Sequence, residues 1–301
     1  MTHVFPFRPA TCLKVEGEDA GGYLQGQFSN ELRHAAGRVV YGLFLNQKGK
    51  VVADAQVLKL TEKSFLVTSN FSPADVIRRR LEEYIVADDV VLQDLTSLTL
   101  GISLWGPGGG KVLQQMFQTV PRDAQFIRHG EILIYPGRRT KGENYEMIGP
   151  EHQVGSLRER LCALGCGETG ANQVEFIRIT DGIPSVPRDL GHGDLPNEGN
   201  LEEDAISYTK GCYLGQEVMA RLKNLGRVRR RLFVVRGTGN PPGARTPLFQ
   251  RDRKVGEIRS VASQGDGFVA MAMLALLDLD EATGLGLAPG APPTISITIH
   301  G

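Results

Sequence analysis

The chain has 301 residues, 41% of them hydrophobic and 23% charged, with 34 basic side chains against 34 acidic ones. That balance excludes the basic excess of a dedicated nucleic-acid binder and supplies enough apolar residues for two or three cored domains. No apolar run reaches the roughly 20 residues of a membrane-spanning helix. The opening MTHVFPFRPATCLKV has no charged segment followed by an apolar one, so no secretory signal is expected. The four cysteines, Cys12, Cys162, Cys166 and Cys212, then read as reduced thiols of a cytoplasmic protein.

In chain order, residues 11–17 alternate as a strand does. The segment opened by Asp19 and Ala20 has Tyr23, Leu24, Gln27 and Phe28 at helical spacing, which places Gln27 and Asn30 on one helix. Residues 39–60 predict two strands turning at Asn46–Gly49, and 64–69 a third. Ser72 before Pro73 predicts a helix capped by the serine with proline in its first position. Strands at 90–95, 98–105 and 131–135 and helices at 108–117, 153–165 and 171–180 follow, the last ended by Gly182 and Pro184. Residues 185–201 form a long polar loop. Beyond Arg231 come short strands at 230–235, 246–249, 255–262, 267–274 and 294–299 between Gly/Pro turns. They predict a separate all-β domain, a barrel, with the boundary at 230/231.

Three stretches imitate chemistry. The Gly106–Lys111 turn follows a strand and opens a helix, yet Gly106 lies only four positions before Gly110, and Val112 follows Lys111 where a phosphate loop needs a hydroxyl. A glycine-rich turn is enough to explain it. Cys162 and Cys166 have no second ligand pair, and the six histidines, at 3, 34, 129, 152, 192 and 300, form no zinc motif. No metal site is expected. The basic run from Arg221 to Arg231 reads as a solvated strand edge or as a patch for a small anionic ligand.

The densest stretch is TKGCYLGQEVMAR, residues 209–221. Its two glycines suggest a tight turn that delivers Cys212 to the N-terminus of a helix starting near Leu214. Lys210 and the helix end would both favour thiolate over thiol. A packing cysteine in a turn is the competing reading.

The octamer KGCYLGQE (210–217) resembles the signature of the YgfZ-type folate-binding proteins, relatives of the glycine-cleavage aminomethyltransferase that include iron–sulfur cluster assembly factors. The block 178–233 resembles the same family, with its R-x-x-x-G-[IV]-P, L-P-x-E-x-N-L and R-x-R-L-F elements, as do YLQGQFSNEL and LNQKGKVVADAQVL upstream. The resemblance implies an α+β fold: an aminomethyltransferase-like folate-binding core of two interleaved subdomains (1–230) plus a C-terminal β-barrel (231–301). It implies tetrahydrofolate or a one-carbon derivative as ligand, iron–sulfur client or assembly proteins as partners, and neither nucleic acid nor membrane. With four scattered cysteines, no stoichiometric iron–sulfur cluster is expected.

Carried onto this sequence, the resemblance makes Gln27, Asn30, Asp54, Arg178, Lys210, Tyr213, Gln216, Glu217 and Arg221 the cofactor-binding candidates and Cys212 the catalytic one. Asp54 is the candidate for the folate's reactive nitrogens and is expected to share a cavity with Gln216 and Glu217. Arg221, Lys223, Arg227 and Arg229 are the candidates for its anionic tail. The expected function is a tetrahydrofolate-binding accessory protein for maturation or repair of iron–sulfur proteins, with one-carbon transfer chemistry an open question. The alternative, a glycine-cleavage aminomethyltransferase, meets Thr180 where that enzyme has an acidic residue.

Overall fold

The chain enters one sheet, leaves it for a second, and returns. In the computed structural model, which describes residues 1–277 and 279–298 and only the backbone of Leu225, β1 (His3–Phe7) starts the first sheet. The last position of the expected 294–299 strand, and His300, lie outside the described residues. β2 (Thr11–Glu16), α1 (Ala20–Gln27), β3 (Val39–Leu45), β4 (Val51–Thr61), β5 (Ser64–Ser69), α2 (Ala74–Glu82) and β6 (Val91–Asp94) then form the second unit, with strand order β3-β4-β5-β2-β6. The return supplies β7 (Thr99–Trp105), α3 (Gly109–Phe117), β8 (Ile127–His129), β9 (Ile132–Pro136), β10 (Asn144–Pro150), α4 (Glu151–Ala163) and β11 (Gly167–Glu168). The first sheet has the order β11-β1-β7-β10-β9-β8, with β1 antiparallel to β7.

Side-chain alternation decides how these units stack. On β2, Leu13 and Val15 join the cluster beneath α1 and α2, while Cys12 faces the other way. Cys12, Val39, Leu58 and Leu66 of the second sheet meet Leu133, Tyr135 and Ile148 of the first. The two sheets therefore lie face to face, with α1 and α2 over one outer face and α3 and α4 serving the other.

α5 (Ala171–Thr180) covers the sequence expected for it and packs against β14 of the last unit. That unit comprises β12 (Arg230–Thr238), β13 (Pro247–Gln250), β14 (Arg253–Gln264), β15 (Gly267–Ala275) and β16 (Ile295–Thr298), in the order β13-β14-β15-β12-β16. Bridges from Phe249 to Gly286 and from Leu285 to Ile295 join its two edges, which closes the barrel. Between core and barrel lie α6 (Glu202–Ala205) and α7 (Gln216–Leu225). A shared cluster joins the second sheet, the helices that follow the core and the barrel: Leu43, Leu45 and Val51 from the second sheet, Ile179 from α5, Tyr213 and Met219 near α7, and Val234, Met271 and Met273 from the barrel.

Two expectations need correcting, and one strand was not expected. α1 ends at Gln27, with Phe28 extended, so Asn30 lies beyond the helix. α2 is capped by Pro73 rather than Ser72, and no side chain caps it, because the Ser72 hydroxyl is used elsewhere. β10 has no obvious strand signature in the sequence, since its inward positions include Asn144 and Glu146. Their partners come from distant segments: Ser103 and Leu104 accept from the Asn144 amide, and Arg139 pairs with Glu146 at 3.0 Å.

Candidate functional site

β4 carries the site because of its period. Ala53, Ala55 and Val57 turn toward the helices, so Asp54, Gln56 and Leu58 share the opposite face, where Leu58 enters the contact between the sheets. At the edge of that contact the packing opens. Asp54 is only 9% exposed and has its carboxylate held from three sides. Ser69 and Ser72 both donate to Oδ1, at 2.9 and 2.6 Å, and the Tyr41 phenol donates to Oδ2 at 3.3 Å. The Asp54 N–H donates in turn to the Ser72 hydroxyl at 3.0 Å. Burial raises the Asp54 pKa above the ordinary carboxylate range, opposed by the Ser72 and Ser69 hydroxyls, by Arg138 and by Tyr41. Burial, with the neighbouring carboxylate, raises Tyr41 as well. Oδ1 is thus saturated by two hydroxyls, while Oδ2 has one long contact and capacity to accept more.

Asp54 borders a recess of about 30 Å³, walled also by Phe71, Asn70 and Arg138. Arg138, Ile183 and Pro184 line both this recess and a cleft of about 1110 Å³, so the recess that Asp54 borders adjoins a large opening. Arg138 is stacked 3.7 Å over the Tyr41 ring and paired with Asp204 at 3.0 Å. A second cleft of about 900 Å³ adjoins the first through Glu202, Glu203, Arg231 and Leu276.

Of the cofactor-binding and catalytic candidates, Asp54 alone lines any of these three spaces, while Lys223, Arg227 and Arg231 of the basic run line the second cleft. The rest have other partners. Lys210 is 6% exposed and donates to the carbonyls of Gln25, Phe28 and Asn30 at 2.7, 2.6 and 2.8 Å. All three of its protons are engaged where α1 ends, a natural place for a cation. Burial lowers its pKa to about 8, with Glu31 acting in the other direction. Asn30 donates to the carbonyls of Tyr41 and Asp204, and Gln27 accepts from buried Arg80. Arg178, 1% exposed, pairs with Glu175 and Asp189 and donates to Ser260 of the barrel at 2.9 Å. It is a clamp between units, with no donor directed to a cleft.

The signature loop is equally occupied. Tyr213 enters the shared cluster, and Gln216 accepts from the Tyr213 N–H at 3.3 Å within its own turn. α7 starts at Gln216, so Cys212 lies four positions before the first helical residue, while the Lys210 amine is turned inward. Cys212, Glu217 and Arg221 are exposed. Gly215, at φ +86°, explains one glycine of the motif: a Cβ there would stand 2.8 Å from the Asn46 carbonyl oxygen, in the turn between β3 and β4.

Sequence reasoning missed Tyr41, Phe71 and Arg138. Tyr41 follows from Val39 by strand period, so its side of β3 was legible. Nothing in the run GRRTKG (137–142) says that Arg138 reaches the cleft while Arg139 is buried against Glu146 and Phe7. The phosphate-loop imitation is also resolved: the Glu143 carboxylate accepts from the N–H groups of Gly108 and Gly110, both at 2.8 Å, and fills the place of an anion. Among the described residues no group of three or more His, Cys, Asp or Glu side chains could hold a metal ion.

Residues 4–204 match the GCVT N-terminal domain, and residues 229–293 match the CAF17 C-terminal beta-barrel domain. The chain belongs to the GCVT N-terminal domain family. It is 30% identical over 291 residues to the mitochondrial iron-sulfur cluster assembly factor IBA57 of Homo sapiens, covering 88% of this chain and 75% of that one. It is 26% identical over 286 residues to the tRNA-modifying protein YgfZ of Colwellia psychrerythraea, covering 91% and 86%. The crystal structure of glycine cleavage system aminomethyltransferase T from Bartonella henselae has the same fold, with a TM-score of 0.84 at 19% identity over 98% of this chain and 84% of that one. The expected α+β core of interleaved units with a C-terminal barrel is therefore the observed fold. No helix among the described residues is long and apolar enough to cross a membrane.

Proposed function

We propose that this protein binds a reduced folate in the cleft above Asp54 and serves iron–sulfur proteins as an accessory factor in the cytoplasm. The observation that carries the reading is the Asp54 carboxylate, buried, oriented by three hydroxyls and left with acceptor capacity in a small recess that shares Arg138, Ile183 and Pro184 with a cleft of about 1110 Å³. A pterin presents a row of N–H donors on an otherwise flat body. A fixed buried carboxylate is the complement of such an edge, and the cleft has the size of a small-molecule site.

Asp54 would accept from the heterocycle, with Ser69 and Ser72 fixing Oδ1 so that Oδ2 faces the donors. Arg138 and Tyr41, already stacked, offer a flat wall. Burial raises the Asp54 pKa, so this carboxyl holds a proton more readily than an ordinary aspartate. A bound tetrahydrofolate supplies nitrogens that carry one-carbon units. The link to iron–sulfur proteins rests on the likeness to the human assembly factor across most of both chains. The four cysteines, none in a disulfide, suit a reducing compartment. Cys212 has no part in this reading.

Titration calorimetry with tetrahydrofolate and its 5-formyl derivative tests it. Wild type should bind at one site per chain, and Asp54→Asn should bind at least tenfold more weakly. Absence of heat with both ligands would remove the folate assignment.

A further inference from the structure

The two edges of the second sheet differ. At β3 the four positions Gly42–Leu45 are buried, and Leu43 and Leu45 enter the shared cluster. At the other edge β6 pairs with β2 alone, and its Val91, Gln93 and Asp94 are exposed. The register runs without a shift from Leu13 opposite Asp94 to Glu16 opposite Val91. The Leu95 N–H donates to the Cys12 carbonyl at 2.8 Å. Strand alternation then turns the backbone groups of Gln93 and Val91 toward β2, and those of Leu92 and Asp94 outward. Among the described residues no strand lies beyond them.

Composition marks the same edge. Among the described residues, three of the seven exposed large apolar side chains lie on β6 or just to either side of it: Val86, Val91 and Leu98, at 90, 64 and 67% exposure. No lysine or arginine occurs between Arg80 and Lys111, an interval that holds Glu82, Glu83, Asp88, Asp89 and Asp94. The cations of adjacent segments are taken, Lys14 by Glu16 at 2.9 Å, Lys63 by Glu18 at 2.5 Å and Arg78 by Glu82 at 2.7 Å. That leaves Asp88, Asp89 and Asp94 without an ion pair among the described residues. Open edges are ordinarily blunted by charge, proline, a bulge or a covering segment. Here the device is negative charge, and it discriminates between occupants. It repels a second copy of the same acidic edge and attracts a basic segment.

We infer that β6 is a docking edge for an extended basic segment of a partner protein, which adds to the five-stranded second sheet as a further strand. Main-chain hydrogen bonds run to the outward N–H and C=O groups of Leu92 and Asp94. Apolar side chains of the segment pack on Val91, and its alternating cations face Asp88, Asp89 and Asp94. No residue of 86–98 lines either cleft or the Asp54 recess, so the inference is independent of the folate reading.

The test uses the full chain and a short synthetic peptide of alternating lysine and valine with blocked ends. Calorimetry at low salt should show one peptide per chain. Hydrogen exchange should show the Leu92 and Asp94 amides slowed at least about tenfold by the peptide, with Gln93, already bonded to β2, little changed. Asp88→Asn combined with Asp94→Asn keeps the oxygen that accepts from the Thr96 N–H and should weaken binding at least about fivefold. Asp94→Pro removes an outward N–H, spares the bonds to β2 and should weaken it at least about tenfold. The same peptide N-methylated at alternate residues keeps its charge and should not bind. Equal binding of the N-methylated form, or binding that leaves Leu92 and Asp94 unprotected, overturns strand addition. Equal binding of a glutamate–valine peptide overturns the choice of a basic partner, and no binding of the lysine–valine peptide overturns the proposal outright. Sedimentation of wild type as a dimer that Val91→Lys separates would give the edge to a second copy and overturn it too.

Discussion

Two regions of the molecule reverse their sequence appearance. The 209–221 stretch has the densest chemistry in the chain, yet nearly all of it is engaged in holding the fold: Lys210 on three carbonyls, Tyr213 in the shared cluster, Gln216 on its own turn. The 53–55 and 69–72 segments look ordinary, an acid between alanines and two serines near a proline, and they build an oriented acceptor in the recess beside the large cleft. A side chain can serve a ligand only if its hydrogen-bonding capacity survives folding. The density of polar residues in a motif measures how much a segment does for the protein, and says little about which atoms stay available.

The largest expected effect lies in the signature loop. Lys210→Met leaves three carbonyls at the end of α1 without their donor and uncouples that helix from the loop. Losing a buried charge-assisted network of this kind costs about 3–5 kcal/mol. Chemical denaturation should show this, while the folded fraction should keep its folate affinity. A variant with wild-type stability and abolished binding would reverse the comparison and return Lys210 to the ligand.

Asp54→Asn should do the opposite. One charge-assisted bond to the ligand is worth about 1.5–3 kcal/mol, so affinity should fall roughly tenfold to a hundredfold. Stability should hold or rise at neutral pH. The folded-state pKa of Asp54 is raised above its unfolded value, so the folded protein keeps a proton that the unfolded chain has already released. The stabilising share of this group is complete below the unfolded pKa and is lost as pH rises through the folded one. Wild type should therefore lose stability relative to Asp54→Asn on going from acid to neutral pH, and the two should converge in acid. A melting series across that range that shows wild type gaining on the variant would contradict the cause assigned to the shift.

Local pattern carried much of the fold. The two strands of the 39–60 hairpin, α5 and the barrel strands are continuous apolar or alternating segments whose partners need not be known. β10 was illegible because Asn144 and Glu146 face inward and are satisfied only by Ser103, Leu104 and Arg139, from β7 and from the turn between β9 and β10. Ser72 misled for a related reason. Ser-Pro before a helix is a good cap signal, but the hydroxyl has a stronger acceptor in a buried carboxylate eighteen residues away. At the site, strand period placed Asp54 on the face that opens, and the family resemblance drew attention to it. The same resemblance drew attention to Arg178 and Lys210, whose donors meet protein acceptors in this fold, because sequence similarity does not say which atoms folding leaves open.

A smaller effect is expected at Arg138, which is half on each side of the comparison. It stacks on Tyr41 and pairs with the exposed Asp204, contacts together worth about 1 kcal/mol in a partly solvated setting. Arg138→Gln should lower stability by about that amount and affinity by a few-fold, with both changes shrinking in salt. A loss of binding as large as that of Asp54→Asn would make the guanidinium a principal ligand contact.

The smallest effect is expected at the residue that first drew attention. Cys212 is exposed, precedes α7 by four positions and has the Lys210 amine directed away into the protein. Cys212→Ser should change stability by no more than about 0.5 kcal/mol and leave folate binding unchanged. The three other thiols provide an internal scale. Cys162 is also exposed, Cys166 is buried, and burial pushes Cys12 up to about 11. In the folded protein an alkylating reagent should modify Cys212 and Cys162 at similar rates and reach Cys12 only on unfolding. If Cys212 reacts more than about tenfold faster than Cys162, a thiolate is being stabilised. The signature loop would then carry chemistry as well as architecture, and the division drawn between the two regions would fail at this residue.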